Sequence, residues 1–187
     1  MLETEKSKPY EEERPAETYT RSSRGSVQLK PPSLLAWLAS LATVSLMLVN
    51  LFLPRGGNAY LRGAGVVLLV LASVFIFAPF VLLEKHGRTK GGNKYMQTNA
   101  VVDQGLYAIT RHPQYLGYMF LAGGFALLSQ HWMSAVLAAS AVSLFYLQAG
   151  KEEHYCLSQL GEPYEQYLER VPRFNLVLGI ARLLQGS

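Results

Sequence analysis

The chain has 187 residues, of which 50% are hydrophobic and only 16% charged, with a formal net charge of +4. A soluble domain is nearer a quarter charged. Here the apolar excess is gathered into long runs, which argues against an ordinary soluble domain. A lone cysteine, Cys156, excludes an internal disulfide.

Residues 1–30 are rich in Glu, Lys, Arg, Ser, Thr and Pro and nearly free of aliphatic side chains. Such a segment cannot bury enough apolar surface to order itself, so a disordered cytoplasmic tail is predicted, followed by a single membrane domain over 31–187. Ser33 to Leu53 and Gly63 to Leu83 carry no charge, and each reaches the roughly 20 residues needed to cross a bilayer core. The first run begins too deep in the chain, and lacks the small-residue cleavage site, for a signal peptide. A third run, Pro113 to Gly150, is long enough for two short spans that turn at "SQHW". The expected fold is therefore an all-α integral membrane protein with about four transmembrane helices, the last two forming a helical hairpin. Lys and Arg cluster before the first run, between the second and third, and in the tail, whereas the opposite loops hold only Arg55 and Arg62. The positive-inside rule then places both termini and the central loop in the cytoplasm.

Residues 87–104 are polar and rich in Gly and Asn, a cytoplasmic loop by composition. Its end, "AVVDQGLY", could lay backbone groups along a ligand. The last apolar run should continue as a helix through "FYLQAGKEEHYCLSQL" until Gly161 and Pro163 end it. At 3.6 residues per turn, Gln148, Glu152, Tyr155 and Gln159 share one face, while Glu153, Leu157 and Leu160 share a neighbouring one. In "YEQYLERV", Tyr164, Tyr167, Leu168 and Val171 form one stripe, which predicts a short amphipathic helix.

Between loop and third run stands "YAITRHPQYLGYMF". Pro113 suits the first position of a helix, and it pushes His112 to an extended conformation. The expected free N–H groups of Gln114, Tyr115 and Leu116 make this helix start a seat for a carboxylate. Arg111 adds positive charge, and Tyr107 and Tyr115 add aromatic faces. Read without further context, "RHP" serves equally as an interface anchor or a ligand site; the paired Glu152 and Glu153 at the membrane edge favour the site.

"GLYAITRHPQYLGYMFLAGG" followed by "KEEHYCLSQLGEPYEQYLERVPRF" resembles the isoprenylcysteine carboxyl methyltransferase family and the wider group that includes phospholipid N-methyltransferases. The shared pattern is G-x-Y, R-H-P-x-Y-x-G, E-E, then G-x-x-Y-x-x-Y and V-P, over residues 91–174. The resemblance implies an S-adenosylmethionine site between the loop, the R-H-P segment and the Glu-bearing helix. Carried over by position, Asn99, Ala100, Val101, Val102, Tyr107, His112, Pro113, Gln114, Tyr115 and Glu152 would contact the cofactor. Arg111, Gln148 and Glu153 would stand on the substrate side. The carboxyl methyltransferases place an arginine one turn before the glutamate, and here that position is Gln148. The expected activity is methyl transfer to a lipophilic acceptor from the bilayer, with membrane lipids as partners, no nucleic acid and no metal. The competing expectations are a sterol-reductase-like oxidoreductase, disfavoured by the lack of G-x-G-x-x-G, and a non-catalytic membrane scaffold.

Overall fold

The computed structural model describes residues 33–86 and 103–185, with side chains described for all of these except 80–86. The predicted tail and the loop positions Asn99, Ala100, Val101 and Val102 lie outside the described residues. Within them the chain is all helical: α1 (Leu34–Phe52), α2 (Ala59–His86), a 3-10 turn (Gly105–Ala108), α3 (Pro113–Ser129), α4 (Trp132–Leu160), α5 (Glu162–Arg170) and α6 (Leu176–Leu184).

Helix ends fall where local chemistry sets them. Ser33 caps α1 by accepting the Ala36 N–H at 3.3 Å. Leu53, held extended before Pro54, stops it. Asn58 caps α2 by accepting the Leu61 N–H at 3.1 Å. Gly161, at φ 62, ends α4, and Pro163 stands in the first turn of α5. Pro79 lies inside α2, which continues past it.

Among the described residues, three helices are long and apolar enough to cross a membrane: Leu34–Phe52, Ala59–Pro79 and Trp132–Leu160. α3, at 17 residues, extends about 25 Å, somewhat short of the roughly 30 Å hydrocarbon core. Their outer faces are apolar, as Trp37, Leu41, Val67, Val70 and Val136 show by being more than half exposed. The chain is an integral membrane protein.

Packing pairs α1 with α4, α2 with α3, and α3 with α4. Small residues allow the close approaches: a β-carbon at Gly65 would meet the Gly124 carbonyl at 3.0 Å, and one at Gly117 would meet the Ile76 side chain at 2.8 Å. Ala39, Leu46, Ala122, Ala138, Ala141 and Phe145 form the core. The Asn50 amide donates to Ser134 at 3.1 Å between α1 and α4. At one end of the bundle, Gln130, in the left-handed conformation, bonds the Asn58 backbone at 2.9 and 3.2 Å and ties the α3–α4 link to the α1–α2 link. The candidate site lies at the other end.

Candidate active site at the R-H-P doorway

The return of α5 builds the site. The Tyr167 hydroxyl donates to the Tyr107 carbonyl at 2.8 Å. The Thr110 hydroxyl donates to the Arg173 carbonyl at 2.6 Å, and the Arg111 N–H donates to the Pro172 carbonyl at 3.1 Å. These bonds lay "VPRF" alongside "TRHP". Arg170 adds an ion pair to Asp103 at 3.6 Å. Tyr164, Tyr167 and Val171, the stripe read from the sequence, are buried together, with Cys156 packed against them; packing accounts for this cysteine.

Glu153 is the hub. It is 5% exposed. Its Oε1 lies 3.1 Å from His112 Nε2, 3.2 Å from Arg111 Nη1 and 3.0 Å from Arg173 Nε. Its Oε2 accepts a further bond from Arg173 Nη2. Arg173 thus grips the carboxylate with two nitrogens while its guanidinium carbon stands 5.2 Å from the centre of the Tyr146 ring. The hydrogen bonds to Glu153 hold the Arg173 pKa above its ordinary value. The His112 ring stacks on Tyr115 at 5.5 Å and meets Phe174 at 6.0 Å.

Glu152, one residue earlier, is turned away from this hub and is partly exposed. Tyr115 lies near Glu152 and Gln148. Gln148 also accepts a bond from the Ser33 hydroxyl at the start of α1. Tyr107 faces the same wall: burial first, and the Glu152 charge second, push its phenol up to about 12, so it stays protonated and able to donate.

The residues singled out from the sequence therefore fall into two groups. Tyr107, Tyr115, Gln148 and Glu152 form one wall. Arg111, His112 and Glu153 form a second cluster together with Arg173, which the sequence reading treated only as a tail charge. Its signal was a basic residue directly after "VP" in an otherwise apolar stretch. The sequence reading paired His112 with Glu152 around one ligand, whereas the imidazole binds Glu153. Pro113 is buried at the start of α3, and Gln114 donates to the Tyr118 hydroxyl at 3.0 Å. One detail is corrected: the Leu116 N–H is not free, because the His112 carbonyl accepts it at 3.0 Å. His112 stands at φ −127° and ψ 65°, not in the extended conformation expected before proline, and the N–H groups of Gln114 and Tyr115 are left for a ligand.

An S-adenosylmethionine-like group fits these residues. Arg111 Nε is buried and has no hydrogen-bond partner among the described residues, so an acceptor is wanted there, beside the start of α3. Glu152 takes part in no ion pair among the described residues and suits hydroxyl or ammonium hydrogens. Among the described residues no group of His, Cys, Asp and Glu side chains is arranged to hold a metal.

Residues 61–162, more than half of the chain, match the phospholipid methyltransferase family. The chain is 35% identical over 81 residues to a protein-S-isoprenylcysteine O-methyltransferase of Schizosaccharomyces pombe, covering 43% of this chain and 34% of that protein. It is 34% identical over 73 residues to protein-S-isoprenylcysteine O-methyltransferase B of Arabidopsis thaliana, covering 38% of this chain and 37% of that one. The match thus spans about a third of the length of these curated relatives. No solved structure matches.

Proposed function

The chain belongs to the phospholipid methyltransferase family, and from that premise we propose that it transfers a methyl group from S-adenosylmethionine to a lipophilic acceptor drawn from the bilayer. The observation that carries this reading is the split of the glutamate pair: Glu153 is spent on Arg111, His112 and Arg173, while Glu152 remains available beside Tyr107 and Tyr115.

In this reading the cofactor supplies an electrophilic methyl group. Glu152 and the N–H groups of Gln114 and Tyr115 hold its polar ends, and Arg111 Nε donates to an acceptor beside them. Tyr107 and Tyr115 present aromatic faces that suit a cationic centre. By the family resemblance alone, Asn99, Ala100, Val101 and Val102 would also contact the cofactor. His112 and Pro113 fix the start of α3 rather than touching the reacting atoms, and Glu153 fixes His112. Most of the rate enhancement then comes from positioning two ligands and excluding water. On the acceptor side stands Gln148, which has no charge. The nearby guanidinium groups of Arg111 and Arg173 are engaged by Glu153. A neutral or cationic acceptor therefore fits better than a carboxylate.

The same reading makes α3 the fourth span and the partner of α4 in a hairpin, with the doorway and both termini on the cytoplasmic side. The test is lipid extraction after incubating proteoliposomes with methyl-labelled S-adenosylmethionine. Label should enter a lipid fraction with the wild type and not with Glu152→Gln. Equal labelling with both proteins, or with neither, would overturn the proposal.

A further inference from the structure

α6 carries its apolar surface on the side opposite to that of a helix in a water-soluble protein. Gly179 is its one buried residue, and a β-carbon there would collide with the Ile109 carbonyl. At 100° per residue, Val177 and Leu184 lie opposite Gly179, and Leu178 and Ile180 stand roughly at right angles to it on either side. They are 80%, 81%, 40% and 46% exposed, while Leu183, in the last turn and nearer the Gly179 side, is 53% exposed. The orientation is pinned. The Asn175 side chain caps the helix by accepting the Leu178 N–H at 3.0 Å. Arg182, the only charged side chain in α6, donates from Nη1 to the carbonyls of Glu169 and Arg170 at 2.8 and 2.9 Å. The polar group is turned in towards the end of α5, and the aliphatic groups are turned out.

We propose that this face is bedded in the bilayer leaflet at the doorway end of the bundle, so that α6 is an interfacial helix beside the active site. Three observations select lipid as the occupant. First, α6 sits at the level where helices enter the membrane: Gly179 backs onto Ile109, shortly before Pro113 opens α3, and the Ser33–Gln148 bond puts the start of α1 at that same end. Second, α5 next to it shows Glu162, Glu165, Gln166 and Glu169 to solvent, so the boundary between water and lipid runs between the two short helices. Third, nine residues fall well short of the roughly 20 needed to span, while exposed Asn175 and Gln185 close both ends with polar groups. That is the pattern of a helix lying in the interface plane. Phe174, just before α6, touches both His112 and Tyr146, so the embedded helix joins the leaflet directly to the site.

The test is nitroxide labelling of Val177→Cys and Leu184→Cys, each in a Cys156→Ala background, with the full chain in phosphatidylcholine–phosphatidylglycerol nanodiscs. Leu41→Cys, on the outer face of α1, and Glu165→Cys, on α5, serve as lipid and water references. Both α6 labels should collide more with oxygen than with a water-soluble nickel chelate, as Leu41→Cys does. Greater access to the nickel chelate would place α6 in water and overturn the proposal. Shielding from both reagents would mean that a second copy or another protein segment covers the face, and would overturn it too. If Cys156→Ala does not fold, the same labels are read with Cys156 retained, subtracting the spectrum of the otherwise unmodified protein.

Discussion

Replacing Glu153 by Gln preserves its shape and removes its charge, leaving Arg111, His112 and Arg173 around a neutral amide. Glu153 is 5% exposed, and removing one partner of a buried ion pair costs about 3–5 kcal/mol because the others stay desolvated. The Arg173 side chain is 28% exposed and can turn to water, whereas those of Arg111 and His112, at 14% and 8%, are held inside. The loss should therefore fall near the lower end, about 3 kcal/mol. For a chain of this size that is a fall of roughly 6–12 °C in the unfolding midpoint. Glu152→Gln is the matched control. Glu152 has no ion pair to break among the described residues, so its midpoint should hardly move. Losing a hydrogen bond to a charged partner costs about 1.5–3 kcal/mol, so S-adenosylhomocysteine should bind roughly ten- to over a hundredfold more weakly. Thermal unfolding in detergent and calorimetric titration together give both readings for both variants. A Glu153→Gln protein as stable as wild type would refute the buried hub. A Glu152→Gln protein that binds normally would refute the site.

Two further outcomes follow from the same wall. In the unfolded chain the Tyr107 phenol ionises near 10, and in the fold it is pushed up to about 12. The stability this provides is fully present below pH 10 and is lost as pH rises towards about 12. Tyr107→Phe should therefore flatten part of the alkaline decline in unfolding midpoint between those values; an unchanged decline would show that the phenol is not held in this way. Gln148→Arg should shift acceptor preference towards carboxylates, measured as the ratio of methyl transfer to a prenylcysteine and to a lipid amine. A wild type that already methylates the prenylcysteine efficiently would refute the role given to Gln148.

Much of the bundle was legible because its signals are local. Charge-free runs marked the long apolar helices, and Gly161 with Pro163 marked the end of α4. The Tyr164–Tyr167–Val171 stripe marked α5. The helical period also placed Glu152 and Glu153 on different faces. It did not tell which face would meet cations, because Arg173 is brought in only when α5 folds back, a tertiary event without a periodic signature. The Leu116 N–H was counted among the free groups, but it stands at the fourth helical position, where the residue before the helix supplies the acceptor, here the His112 carbonyl. α6 went unread for another reason: "LVLGIARLL" is too short to register as a span, and its single glycine reads as a defect until Ile109 is seen against it.

The adjacency of the two glutamates is itself informative. One residue step turns a helix by 100°, so neighbouring side chains cannot share a pocket, and a pair of equal charges is divided between two environments. The inward position, facing Arg111, His112 and Arg173, would be costly for any neutral side chain, since two guanidinium groups and a hydrogen-bonding imidazole would be left without an anion. The neighbouring position, near Tyr107 and Tyr115, makes no ion pair among the described residues, so a carboxylate there is not consumed by the fold. Exchanging the two roles is not open to the chain. Arg173 reaches Glu153 only because Thr110 and Arg111 hold "VPRF" by its backbone, and that anchoring fixes which glutamate is consumed by the fold. The structural glutamate therefore sets the position of His112 and the start of α3, and with them the wall on which Glu152 is proposed to act.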